Sequence, residues 1–175
     1  MNETSPGAAP PIVLRPWSDG DLALLRRTNA PEMTAFLGGP ESEEKLAERH
    51  ERYLRLDGDG GRMYAVVLAA TGEAAGSIGF WSRTWHDQEV YETGWGVLPQ
   101  FQGRGIAAAA ARAVVAAARQ QHGRRWLHAF PEVGHAASNA VCRKAGFTLV
   151  GECAFEYPKG TMIRSNDWRT DLEAL

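Results

Sequence analysis

The sequence predicts a mixed α/β domain built around one sheet, and three observations carry that expectation. Apolar segments with a period of two residues alternate along the chain with segments of period near 3.6, as in strands and helices that share one core. At 175 residues the chain has the length of one compact domain and can bury a sizeable core. Glycine supplies 19 of those residues, about 11 per cent against a usual level near 7 per cent, so the backbone needs tight turns or close approaches somewhere.

Residues 1–11 are polar and rich in Pro, Gly and Ala, and too few apolar side chains are present to offset ordering. They are expected to be a disordered lead-in, with the domain running over 12–175. Ile12-Val13-Leu14-Arg15 reads as a short strand closed by Pro16. Ser18-Asp19-Gly20-Asp21 offers capping chemistry for a helix carrying Leu22, Leu24 and Leu25, which ends near Asn29-Ala30-Pro31. After the Gly38-Gly39-Pro40 break, Ser42-Glu43-Glu44 loads the positive end of a second helix running to about residue 56. Residues 57–61 form a loop. Strands over 62–70 and 74–81 are joined at Thr71-Gly72-Glu73 as a hairpin.

A polar loop is expected at 82–88, followed by a strand over 89–97. Its alternation places Tyr91, Thr93, Trp95 and Val97 on one face and Val90, Glu92, Gly94 and Gly96 on the other. Two glycines in one strand predict a bulge or a close approach to the backbone. A Gly-punctuated loop at 102–107 enters a long helix to about residue 121, with Ile106, Ala110, Ala113, Val114 and Ala117 as its apolar stripe. A strand over 124–130, a helix over 136–145 stopped by Gly146, and strands over 147–155 and 166–172 complete the order.

Composition excludes several functions. Nineteen Lys and Arg against twenty-one Asp and Glu give a formal net charge of −2, with no basic stripe for a nucleic acid. Cys142 and Cys153 are too few for a disulfide framework and read as free thiols of a reducing, cytoplasmic compartment. No apolar run reaches about 18 residues, so no membrane partner is expected. The five histidines show no ligand spacing, and no metal is expected. The near-neutral total conceals a local imbalance: residues 93–131 hold five arginines and no acid.

That imbalance surrounds the strand–glycine loop–helix segment, where free N–H groups and a helix dipole converge on an anion site, most naturally for phosphate. Gly103-Arg104-Gly105-Ile106-Ala107-Ala108 satisfies a dinucleotide pattern, but that reading needs an acid about 20 positions on to hold a ribose, and none is there. The competing pattern is Gln102-x-x-Gly105-x-Ala107. It resembles the acetyl-CoA pyrophosphate loop of the GNAT N-acetyltransferase superfamily.

The resemblance extends from about residue 12 to 172 through Leu14-Arg15-Pro16 with Asp19-x-Asp21, Phe36-Leu37-Gly38-Gly39, Glu92-Thr93-Gly94-Trp95, the Gly loop, and Ser138 through Gly146-Phe147. Together these segments are similar to the ribosomal-protein (RimJ/RimL-type) N-acetyltransferase subgroup. The resemblance implies a single-domain GNAT fold with a mostly antiparallel sheet of six to seven strands and about four helices. It also implies acetyl-CoA as acyl donor and an acceptor amine that is a protein N-terminus or a small molecule. A monomer or homodimer is expected. Departures from the family pattern keep open a CoA-binding sensor or interaction module without transfer.

Carried onto this chain, the resemblance assigns the pyrophosphate to the backbone of Gln102, Gly103, Arg104, Gly105, Ile106, Ala107 and Ala108, and the thioester to the strand end Trp95-Gly96-Val97. Glycines at 103 and 105 put no Cβ between backbone and phosphate, and Arg104 offers a charge-assisted contact. Attack by an amine builds negative charge on the carbonyl oxygen, which a backbone N–H stabilises. An amine of pKa about 7.7–10.4 is mostly protonated near pH 7, so a base is needed. Glu92 is the candidate, with a cross-strand partnership to an arginine such as Arg83 as the competing role. Cys142 stands where many relatives carry a Tyr that protonates the leaving thiolate, although a Cys inside a helix is more often a small core residue. Ser138 matches the subgroup's Ser and is a candidate partner for the CoA sulfur or pantetheine. His135 replaces the usual Asn that contacts the pantetheine arm. Of the aromatic residues, Phe36 and the segment Phe155-Glu156-Tyr157-Pro158 lie where relatives shape acceptor access, with Glu156 as a possible attractor for a cationic amine.

Overall fold

The computed structural model describes residues 8–174. The strand β1 (Ile12–Pro16) leads through a 3-10 turn at Asp19–Asp21 into α1 (Leu22–Thr28), a one-turn α2 (Pro31–Thr34) and α3 (Glu43–Arg55). Three strands follow: β2 (Gly61–Leu68), β3 (Ala74–Trp85) and β4 (Gln88–Val97). The order then runs α4 (Ile106–Gln121), β5 (Trp126–Ala129), α5 (Ala136–Lys144), β6 (Thr148–Glu156) and β7 (Met162–Asp171). The seven strands form one sheet in the order β1-β2-β3-β4-β5-β7-β6, antiparallel except where β4 meets β5. Among the described residues no helix is long and apolar enough to cross a membrane.

Residue 7 and those before it, within the expected lead-in, lie outside the described residues. Residues 8–11 run along the domain: the Ala69 N–H donates to the Pro11 carbonyl, and Ala9 lies beside Gly105.

The link from β1 to α1 is local chemistry. The Asp21 carboxylate accepts from Arg15 at 2.8 and 3.0 Å, from the Ser18 N–H at 2.8 Å and from the Ser18 hydroxyl at 3.0 Å. Burial opposes the charge on Asp21, but the Arg15 and Ser18 donors outweigh it and hold the carboxyl below its usual range. The core lies between sheet and helices, with Ile78, Phe80, Tyr91 and Leu127 from strands meeting Leu46, Ile106 and Val114 from helices, all at most 2 % exposed.

One expectation fails in an informative way. Residues 82–88 are not a loop: β3 runs on to Trp85 and β4 starts at Gln88, paired through Arg83↔Val90 and Trp85↔Gln88. Only His86 and Asp87 turn the chain, both at positive φ (46° and 62°), as a two-residue hairpin turn demands. The polar composition of this stretch hid a strand because its polar side chains have partners: Arg83 bonds Glu92 and Thr84 bonds Glu89. The last strand likewise starts at Met162 rather than 166, and Pro31 opens an extra turn of helix where only a helix end was expected.

Candidate active site

The parallel pair β4–β5 is short. Tyr91 pairs with Leu127 and Glu92 with His128, and no pairing continues beyond. Past Glu92 the two strands part, so one edge of residues 93–97 loses its ladder partner and its outward N–H and C=O groups face a gap. A cleft of about 430 Å³ opens there, lined by Glu92, Thr93, Gly94, Trp95 and Gly96 on one side and by Ala129, Phe130, Glu132, His135 and Ser138 on the other. Residues from α1, α2 and the loop after it, including Thr28, Met33 and Phe36, close a third side. The glycines of β4 are used for space. A Cβ at Gly94 would stand 3.1 Å from the Trp81 ring, and one at Gly96 would stand 3.4 Å from the Met33 methyl.

Glu92 is held rigidly in this cleft. Its Oε2 accepts from Trp81 Nε1 at 3.0 Å and from Arg83 Nη1 at 3.0 Å. Glu92 thus has the Arg83 partnership that was weighed as its competing role, and it also lines the cleft. The Arg83 guanidinium is backed by aromatic faces, 4.3 Å from the Phe155 ring centre and 5.6 Å from that of Phe130. Two donors converge on one carboxylate oxygen, and the other oxygen makes no hydrogen bond to the described residues, leaving an acceptor for a substrate proton or a water.

The loop beyond β4 has the features of an anion cradle. Gly103 (φ 75°) and Gly105 (φ 78°) are both left-handed, and Gly105 caps α4. The first turn of α4 closes with the Ala109 N–H on the Gly105 carbonyl, and the N–H groups of residues 103–108 find no acceptor among the described residues. These groups fit a pyrophosphate. Arg104 is exposed, with its guanidinium 5.8 Å from the Phe101 ring centre. Gln102 has a further duty: its Nε2 donates to the Val97 carbonyl at 2.9 Å and so ties the loop to the end of β4. Ile106 and Ala108 are buried and anchor the helix in the core, while Ala107 is partly buried. Arg112 and Arg119 reach the carbonyls of Lys144 and Asp171.

On α5 the structure separates the candidates. His135 and Ser138 line the cleft, with Ser138 Oγ 3.5 Å from His135 Nε2. The His135 ring stacks on Phe36 at 4.3 Å, and burial pushes its pKa below the usual imidazole value. Cys142 is fully buried in the core and is absent from the cleft, and burial pushes its thiol up to about 12. Its neighbourhood is that of a small core residue. Asn139, which the sequence reading passed over, is buried and organises α5: its amide donates to the Glu132 and His135 carbonyls and accepts from Asn166 and Trp168.

The aromatic residues divide between cleft and core. Phe36, Trp81, Phe155 and Tyr157 line the cleft, whereas Trp17, Tyr91 and Trp168 belong to the core. Trp85 packs beside Phe130 and donates to Asp167 at 3.1 Å. Glu156 turns away from the cleft and accepts from the Gly160 N–H of its own hairpin. A residue that sequence reasoning missed is Arg49 of α3, which pairs with Glu41 at 2.6 Å and donates to the hydroxyls of Tyr53 at 3.4 Å and Tyr157 at 3.3 Å. Among the described residues, no group of His, Cys, Asp and Glu is arranged to hold a metal.

No curated protein sequence matches this chain. Solved structures do. RimL, a ribosomal L7/L12 alpha-N-protein acetyltransferase in complex with coenzyme A, is 22% identical, with a TM-score of 0.75 over 97% of this chain and 98% of its own. A spermidine N-acetyltransferase from Vibrio cholerae in complex with CoA and spermine is 15% identical, with a TM-score of 0.73 over 92% of this chain and 95% of its own. An aminoglycoside acetyltransferase in complex with coenzyme A is 18% identical, with a TM-score of 0.72 over the same shares. These likenesses show the fold, and the family follows from the sequence: the model of the acetyltransferase (GNAT) domain matches residues 12–148, so this chain belongs to the GNAT acetyltransferase family.

Proposed function

We propose that the protein is an acetyl-CoA-dependent N-acetyltransferase that moves the acetyl group directly to a primary amine within a ternary complex. The observation that carries this reading is Glu92, a carboxylate with one oxygen fixed by Trp81 and Arg83, set where β4 and β5 part and a cleft opens. The Gly loop at the far end of the same strand supplies a second, independent support, because its unpaired N–H groups suit the pyrophosphate of the donor.

When bound, acetyl-CoA supplies a thioester carbonyl as the electrophile. The chain's own residues do the rest. Backbone N–H groups of 103–108 hold the phosphates, and an unpaired N–H along Trp95-Gly96-Val97 stabilises charge that develops on the carbonyl oxygen. Glu92 takes the proton of the incoming ammonium, directly or through a water, so that nitrogen has a lone pair to attack with. A C–N bond forms, the C–S bond breaks, and CoA leaves with the electron pair on sulfur. The attacking nitrogen sheds a second proton as the amide forms; that proton goes to the thiolate, with the Ser138 hydroxyl lining the cleft where it can relay it, and the proton held by Glu92 returns to water.

The test is release of free CoA thiol from acetyl-CoA across a panel of amines and N-terminal peptides, read alongside CoA binding by calorimetry. Thiol release that depends on an amine supports the reading. CoA binding with no release over the whole panel would leave a binding module and remove the transferase.

A further inference from the structure

The acceptor end of the cleft has a chemistry of its own. Its walls carry Phe36, Trp81, Phe130, Phe155, Tyr157 and Ile163. Two of the three carboxylates on the lining are already matched. Glu41 pairs with Arg49 at 2.6 Å, and Glu92 with Arg83 at 3.0 Å. The remaining ionised side chains on the lining are Glu132 and Lys45, one of each sign, and neither forms an ion pair among the described residues. Glu156, the one acid that the sequence placed near acceptor entry, is turned outward onto Gly160.

The cleft is also roofed. A Cβ at Gly38 would come within 3.0 Å of the Pro158 ring, so the loop after α2 and the β6–β7 loop meet closely. Arg49 bonds Tyr157, and Phe36 stacks on His135. The whole cleft, thioester end included, holds about 430 Å³, within the range of small-molecule sites, roughly 300–1,000 Å³.

Resting on the transferase reading above, we infer that the acceptor is a small amine with a single positive charge carried on an aromatic or branched apolar body. Its ammonium is neutralised by Glu92 at the reaction, and its body buries against the aromatic walls. A polycation is disfavoured, because each further ammonium enters a cleft that has no net carboxylate to receive it, and an unmatched charge is costly to desolvate. A peptide N-terminus is disfavoured by the roof.

The experiment compares kcat/KM of the wild-type protein with acetyl-CoA for phenethylamine, spermidine, kanamycin and a Ser-initiated peptide. Phenethylamine is expected to lead each of the others by at least about tenfold. A second arm uses Ile163→Glu, which places an unmatched carboxylate on the lining, with Ile163→Gln as the uncharged control. The Glu variant is expected to shift the spermidine-to-phenethylamine ratio about tenfold further toward spermidine than the Gln variant does, the Gln variant reporting the loss of apolar wall alone. If either variant fails to fold, the wild-type ratios still decide. Faster turnover of spermidine, kanamycin or the peptide by wild type would overturn the acceptor class while leaving the transferase reading intact. Release of CoA with none of the four, despite CoA binding, would overturn both.

Discussion

Glu92 and Cys142 show how two residue types that both carry protons are given different work by their surroundings. The carboxylate of Glu92 lies in a cleft, with one oxygen tied to Trp81 and Arg83 and the other unbonded. The Cys142 thiol is sealed from solvent in α5, and burial pushes its pKa up to about 12, so it stays protonated at neutral pH and out of reach of a substrate. Replacing Cys142 by Ala is therefore expected to leave kcat within about twofold while costing about 1 kcal/mol of stability through lost packing, read by steady-state rates and thermal melting. Loss of transfer with intact CoA binding in that variant would require a chemical role for the thiol.

At the scale of elements, the joint between β1 and α1 has a pH dependence of definite sign. The carboxyl of Asp21 is held below its usual range, so its bonds to Ser18 and Arg15 stabilise the fold above the unfolded pKa near 3.9. That contribution is lost as pH falls through the folded pKa. Arg15 is 42% exposed in its side chain and Ser18 is exposed, so solvent screens both, and the Arg15 bonds remain the foremost of the contacts that hold the carboxyl down. Asp21→Asn is expected to cost about 2 kcal/mol at pH 7, with the gap to wild type narrowing below about pH 4 in denaturant melts. A gap that stays constant from pH 7 to pH 3 would contradict this assignment.

Elements also show what a sequence reveals. The helix over 106–121 and the strand carrying Glu92 were legible because their signals are local, with apolar positions at fixed periods and glycines at their ends. The β3–β4 hairpin was not. Its turn is His86-Asp87 rather than the glycine-containing pair that usually marks such a turn, and its polar flanks find their partners only once the sheet has formed.

Across the whole molecule the same division between local and distant holds for the site. The Gly loop and the Glu92-Thr93-Gly94-Trp95 segment sit at a strand end and its following helix, and their chemistry can be read residue by residue. The opposite wall comes from chain segments far apart: Arg49 reaches Tyr157 across 108 positions, and the rings behind Arg83 come from β6 and the end of β5. No period or spacing records such contacts, because they exist only after the sheet order β4-β5-β7-β6 is assembled. The sheet thus sets the candidate site at one place, where the single parallel pairing stops short and leaves a strand edge, the Glu92 carboxylate and, beyond the strand end, the Gly loop.

The measurement that tests this account most directly is Glu92→Gln, assayed for CoA thiol release with a turned-over amine and for CoA affinity by calorimetry. The amide keeps an acceptor for Trp81 and Arg83 but takes up no proton at neutral pH. In this variant kcat is expected to fall by about 10²-fold or more while CoA affinity stays within about twofold. An unchanged kcat would contradict the assignment of the base, and with it the reading of the cleft as the site of transfer.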